Sequence, residues 1–314
     1  MRHITDDQVS RLVSAADAQD VLLDAFRSFG RGTAAVQERV RTQAGEVKLS
    51  TLGAVLPEQG VVGAKVYTTI AGQFRFVILL FSAADGAPLA TLEAGAVTRL
   101  RTAATTVLAA RSLARPDSKA LALFGAGQQG REHAAQLCAA FPIERILLVD
   151  PYADAATAQA LSQQCGVPVL EAAPHEAVSS ADMVVTASRS ATPLFSGDLI
   201  RPGTFVAAIG SSLPHTRELD DVALRRASMV VVDWRQQAMQ EAGDLVLADP
   251  ACLPSDKVVE LAQVVLGAKT RRGPDDIVIY KSVGIGLQDI ALAGLAWSRL
   301  IATSHGSPTQ TLES

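Results

Sequence analysis

Lys119–Leu137, KALALFGAGQQGREHAAQL, passes from an unbroken apolar run to a helical pattern through G-x-G-x-x-G. A run apolar at every position suits a parallel strand covered on both faces, and the apolar spacing after the last glycine suits a helix. Gly125 permits the tight turn, Gly127 lets backbone approach a pyrophosphate, and Gly130 lets the helix sit close to the strand. The helix N-terminus adds N–H groups and partial positive charge for phosphate. Ala126, Gln128 and Gln129 complete the loop. A glycine turn alone can equally be a packing device. Here, however, Asp150 ends the next apolar run, RILLVD, 20 residues after Gly130. A carboxylate there accepts hydrogen bonds from an adenosine ribose and repels a 2′-phosphate. Loop and acid together predict dinucleotide binding, with NAD preferred and NADP the alternative, since Arg131 is placed to meet an extra phosphate.

Toward the C-terminus the runs DMVVTA, TFVAAIG, SMVVVDW and IVIYKSVG alternate with helical stretches. That rhythm predicts an α/β fold, a Rossmann-type doubly wound parallel sheet, over residues 114–289. Toward the N-terminus the pattern differs. DAQDVLLDAFRSFGRG reads as an amphipathic helix stopped by glycine. VRTQAGEVKLSTLGAVLPEQGVVGAKVYTTI and FRFVILLFSAADGAPLATLEA read as antiparallel strands, with Asp85-Gly86 a hairpin signal. The alanine-rich AGAVTRLRTAATTVLAARSLARP is a long linking helix ended by Pro116, and GLQDIALAGLAWSRLIATSHG is a final helix returning to the first part. These segments predict a smaller α+β substrate-binding and dimerisation domain of 1–113 plus 290–314, with SHGSPTQTLES a mobile tail.

Composition narrows the function. The chain has 314 residues, 48% hydrophobic and 19% charged, with net charge -4 and no basic block, which excludes a nucleic-acid partner. No apolar run reaches the roughly 18 residues of a membrane helix and no secretory leader is visible, so a cytoplasmic protein is expected. Cys138, Cys165 and Cys252 form no CxxC pair, and the five histidines lack ligand spacing, so neither a disulfide framework nor a metal site is expected.

A nicotinamide cofactor implies hydride transfer to a substrate held by other residues. Three cations stand in apolar company: Lys65 in VVGAKVYTT, Arg101 in TRLRTAATT and Arg41 in ERVRTQ. Each alone could snorkel or pair; together they suggest a carboxylate clamp. Arg39, two residues before Arg41, points to the same strand face.

VTRLRTAATTVLAARSLARPDSKALALFGAGQQG closely resembles the hallmark segment of the ornithine cyclodeaminase and mu-crystallin family. GAKVYT, RELDD, VVVDWRQQAMQEAGDL and IYKSVGIGLQDIALA match further family segments over most of the chain. The resemblance implies a homodimer and an imino- or amino-acid substrate held by Arg41, Lys65 and Arg101, with Ser282 in the cofactor-binding set. Members of this family either cyclodeaminate ornithine to proline and ammonia, reduce cyclic ketimines such as pyrroline- or piperideine-2-carboxylate, or deaminate alanine oxidatively. In cyclodeaminases of the family the residue after Gly-Gly in a G-G-D-x-P-G turn is an aspartate that handles the terminal amine; aligned on IGSSLPHTREL, that position is Ser212. A serine hydroxyl neither balances an ammonium nor takes its proton near neutral pH. Ketimine reductases of this family carry serine there and Lys-Ser where Lys281 and Ser282 stand. The expectation is an NAD(P)H-dependent ketimine reductase with Lys65 and Ser212 as catalytic residues. The alternatives are ornithine cyclodeaminase, alanine-type dehydrogenase and a dinucleotide-binding protein without catalysis. His215, three residues past Ser212, is a titratable group beside the turn, more readily read as an exposed turn histidine.

Overall fold

The computed structural model of the chain describes residues 1–305. It divides into two units, residues 1–101 with those from 286 on, and residues 102–285. The tail expected to be mobile lies, from Gly306 on, outside the described residues. The expected boundaries were 113/114 and 289/290. The first observed one falls inside an uninterrupted helix, where no turn residue marks it.

The first unit contains β1 (Arg2–Ile4), α1 (Asp6–Leu12), α2 (Ala15–Arg31), β2 (Ala35–Val36), β3 (Val40–Ala44), β4 (Val47–Leu56), β5 (Val61–Ile70), β6 (Gln73–Ser82), β7 (Pro88–Glu93) and the start of α3 (Gly95–Leu113). A capping box between Ser14 and Asp17 starts α2, Gly32 in the left-handed region (φ 76°) stops it, and it buries Leu22, Ala25 and Phe26. The sheet runs β1-β7-β6-β5-β4-β2, with β3 also on β4, antiparallel except for β1 on β7. The hairpin expected at Asp85-Gly86 joins β6 to β7, and Gly86 has φ 74°.

Register fixes what each face carries. Lys65 lies opposite Leu52 on β4 and Ile78 on β6. Gly63, one step along the same face of β5, has no room for a side chain, because a Cβ would lie 2.9 Å from Ile290 Cδ1 and 2.4 Å from Leu79 O. The C-terminal helix Gly286–His305 therefore lies directly on the Lys65 face. On the opposite face Val40, Val47, Leu49, Val55, Ile70 and Val77 are 43–51% exposed.

The second unit contains β8 (Ala120–Phe124), α4 (Gln128–Ala140), β9 (Arg145–Val149), β10 (Val169–Glu171), β11 (Met183–Thr186), β12 (Phe205–Ala208), β13 (Met229–Val232), β14 (Val258–Glu260) and β15 (Val278–Lys281). All eight strands are parallel, in the order β10-β9-β8-β11-β12-β15-β13-β14. The six apolar runs of the sequence are its six inner strands, and β8, β11, β12, β13 and β15 are buried at every position, as double coverage by helices requires. The three-residue β10 and β14 are the edges, too short to show a pattern. From β8 the chain goes to β9 and β10, then returns to place β11 on the other side of β8. This is the doubly wound α/β arrangement, with its switch point beside β8, where such sheets bind ligands at the carboxyl ends of their strands.

Candidate functional site: a glycine loop, a buried cation clamp and a braced turn

At the end of β8, Gly125 has φ 97°, and a Cβ there would lie 2.8 Å from Ala187 O. A Cβ on Gly130 would lie 1.8 Å from Gly125 O, so the helix can only follow the strand this closely with glycine there. Gly127 caps α4, and nothing lies within 4 Å of where its Cβ would be. Loop backbone and helix N-terminus thus form an open cradle of the shape a pyrophosphate needs. Asp150 sits just beyond β9; its Oδ2 accepts from the Ala126 N–H (2.7 Å) and its Oδ1 from the Tyr152 N–H (2.9 Å). Arg131 Nε donates to the Ala126 carbonyl (2.8 Å), so Arg131 folds back along the loop. Gln128 is exposed, Gln129 half-buried and Ala126 buried. The residues present fit a dinucleotide.

In the first unit, Lys65, Arg101 and Asp289 are all buried. Lys65 Nζ donates to Thr98 Oγ1 (2.6 Å) and Asp289 Oδ1 (3.1 Å). Arg101 Nε donates to the same Asp289 oxygen (3.2 Å), and its Nη1 to Gln288 Oε1 (2.7 Å). One carboxylate on the C-terminal helix therefore holds two cations, one from β5 and one from α3. Among the described residues, Asp289 Oδ2 and the buried Ser50 Oγ have no hydrogen-bond partner. A buried polar atom left without a partner costs about 1–3 kcal/mol.

Burial, reinforced by Arg101 and only partly offset by Asp289, pushes the Lys65 ammonium down to about 8. Burial pushes the Asp289 carboxyl up, but the Arg101 and Lys65 charges outweigh it and hold it below its ordinary value. The Lys65 ammonium also lies 4.6 Å from the centroid of the Phe76 ring, which packs against Tyr67 at 5.1 Å. Arg41 is half-buried on β3 opposite Ser50, on the Lys65 face. Arg39, two residues earlier, also places its charge on both Lys65 and Asp289. Sequence reading named Arg39 only as Arg41's neighbour and gave Asp289 no role; the signal for Asp289 was its place at the end of S-x-G-x-x-x-x-D on an otherwise apolar helix. Ser50 and Phe76 carried no local signal.

The turn after β12 is held by two buried carboxylates. Glu218 Oε2 accepts from Thr186 Oγ1 (2.8 Å) and the N–H groups of Gly210 (2.7 Å) and Ser211 (3.3 Å); its Oε1 accepts from the Ser188 N–H (2.9 Å) and hydroxyl (2.7 Å). Asp244 Oδ1 accepts from the N–H groups of Glu218 (2.7 Å) and Leu219 (2.8 Å), while its Oδ2 lies 2.8 Å from Lys281 Nζ. Ser212 is half-buried within this turn and His215 is exposed. The Ser282 hydroxyl donates to Asp233 Oδ2 (2.8 Å), which also accepts from the Val283 and Gly284 N–H groups. Among the described residues no His/Cys/Asp/Glu group suits a metal ion, and no helix is long and apolar enough to cross a membrane.

A doubly wound sheet with this loop and acid, in a chain that also carries two buried cations held by one carboxylate, fits an NAD(P)-dependent oxidoreductase. Residues 3–304 match the ornithine cyclodeaminase/mu-crystallin family, and the chain belongs to it. It is 33% identical over 258 residues to a Delta(1)-pyrroline-2-carboxylate reductase of Bacillus cereus, covering 80% of this chain and 77% of that one. It also resembles the crystal structure of a probable ornithine cyclodeaminase from Bordetella pertussis, with 63% identity and TM-score 0.96 over 97% of this chain and 98% of that chain. A third likeness is the Thermococcus litoralis Delta(1)-pyrroline-2-carboxylate reductase in complex with NADH and L-proline, with 27% identity and TM-score 0.89 over 97% and 98%.

Proposed function

We propose that the chain is an NAD(P)H-dependent reductase of a cyclic ketimine carboxylate of the pyrroline- or piperideine-2-carboxylate type. Arg101, oriented by Asp289 and Gln288, binds the substrate carboxylate, and Arg41 adds positive charge from β3. Lys65 holds a proton for the imine nitrogen; its depressed pKa makes it a better acid than an exposed lysine near neutral pH. The glycine loop and Asp150 hold the dinucleotide, NAD in preference to NADP, with Ser282 on the cofactor side; a bound reduced nicotinamide supplies the hydride. Ser212 contributes a hydroxyl at the turn.

The observation that favours reduction over cyclodeamination is the state of the carboxylates around Ser212. Glu218 accepts five hydrogen bonds, and Asp244 is tied to Lys281 and two backbone N–H groups. Neither is available as a base for a substrate amine. The likeness to the Bacillus cereus reductase supports the same reading. Cyclodeamination of ornithine is the second reading, favoured by the 63% identity to a probable ornithine cyclodeaminase.

The exposed apolar face of β3 to β6 is proposed as the surface on which a second copy pairs, giving a homodimer. The deciding experiment follows NADH consumption with pyrroline-2-carboxylate and piperideine-2-carboxylate, beside ornithine without added reductant. Stoichiometric NADH oxidation with a ketimine is expected; catalytic release of proline and ammonia from ornithine at a rate exceeding ketimine reduction overturns the proposal.

A further inference from the structure

We propose that Lys281 is a positioning residue: its ammonium braces the Ser211–Ser212 peptide and so sets where Ser212 stands in the reaction. The inference rests on the reading above that Ser212 belongs to the reaction site.

Lys281 ends β15, in register with Ala208 at the end of β12 and Val232 at the end of β13. Its side chain is wholly buried among apolar strands. There Nζ donates to the Ser211 carbonyl (2.6 Å) and faces Asp244 Oδ2 (2.8 Å). The Ser211 N–H is held by Glu218 (3.3 Å), and the Glu218 N–H is held in turn by Asp244 (2.7 Å). Ser211 is therefore gripped at both backbone groups by one connected set of charges. Because the peptide is planar and trans, fixing the Ser211 C=O also fixes the direction of the Ser212 N–H and the start of its Cα. Hydrogen bonding of the carbonyl to an ammonium further polarises that peptide unit.

Stability alone does not call for this arrangement. Replacing a buried ion pair by apolar side chains of similar volume is often neutral or stabilising. What such a replacement loses here is the buried cation that donates to the turn's carbonyl.

The test compares the wild type with Lys281→Met and the double variant Lys281→Met/Asp244→Asn. The single variant strands a buried carboxylate and should melt earlier. The double variant removes that stranded charge, keeps an amide oxygen for the Glu218 and Leu219 N–H groups, and should recover most of the lost Tm. If Lys281 positions the turn, the double variant still shows at least about tenfold faster hydrogen exchange in the segment 210–213. Its kcat for pyrroline-2-carboxylate reduction falls by about tenfold or more, with KM within about threefold of wild type. Wild-type exchange in that segment overturns the brace. Faster exchange with unchanged kcat overturns its part in the reaction. If the wild type does not turn over the ketimine, the reductase reading fails separately. The same variants are then run with ornithine, and if that too is inert the exchange data decide.

Discussion

Asp289→Asn removes a charge from the clamp while keeping a side chain of the same size that still accepts from Lys65 and Arg101. At separations of 3.1 and 3.2 Å, each ion pair amounts to about 5 kcal/mol at an effective dielectric near 20. Neutralisation of Lys65 and local relaxation dissipate part of that. Half of the Lys65 share, about 2.7 kcal/mol, corresponds to about two pKa units. The ammonium would move from about 8 to roughly 6. A lysine that donates a proton supports reduction below its pKa and loses that ability as pH rises through it. At pH 7 the protonated fraction would fall from about nine-tenths to about one-tenth, so reductive kcat/KM should drop about tenfold at that pH and much less at pH 5.5. The assay is NADH absorbance with pyrroline-2-carboxylate across the pH range for both proteins, the substrate's own ionisation being common to the two. An upper limb at the same pH in both would refute Lys65 as the titrating group.

Arg101→Ala should raise KM by a factor corresponding to about 2–5 kcal/mol, because a buried partner of the substrate carboxylate is lost; an unchanged KM in steady-state kinetics removes Arg101 from substrate binding. Asp150→Ser lifts the repulsion of a 2′-phosphate and should move the NADPH-to-NADH affinity ratio about tenfold toward NADPH. Fluorescence titration with the two cofactors checks it, and an unmoved ratio would mean Asp150 serves only the loop backbone it bonds. Leu49→Lys places a charge in the exposed apolar face of the first unit and should shift the protein to monomer in sedimentation velocity; a monomeric wild type would remove that face as a pairing surface.

Much of this molecule was legible because its signals are local. The glycine loop announces strand, turn and helix within a dozen residues, and runs such as DMVVTA and SMVVVDW are apolar at every position because helices cover both faces of the sheet. Lys65 and Arg101 stood out for the same reason, as charges in company that cannot solvate them. What escaped reading depends on register or on long-range pairing. Asp289 meets Lys65 across 224 positions of the chain, and nothing beside either residue names the other. Ser50 gains meaning only from the strand pairing that sets it on the Lys65 face. The edge strands β10 and β14 are too short for periodicity, and the passage between units lies within α3, where alanine continues without a break. Lys281 was read as part of a Lys-Ser pair that separates family members; its partner Asp244 and the turn it braces appear only when β15 is set between β12 and β13.

The discontinuity of the first unit bears on how the protein comes into being. During synthesis the residues of the second unit form one unbroken stretch and can fold as they emerge, whereas the sheet bearing Lys65 must wait for the last helix. Until residue 289 leaves the ribosome, Lys65 and Arg101 have no anion between them and Gly63 has no Ile290 to receive. β15, at residues 278–281, completes the second sheet and Asp289 follows eight positions later, so the dinucleotide cradle and the proposed substrate clamp are finished almost together as the chain emerges.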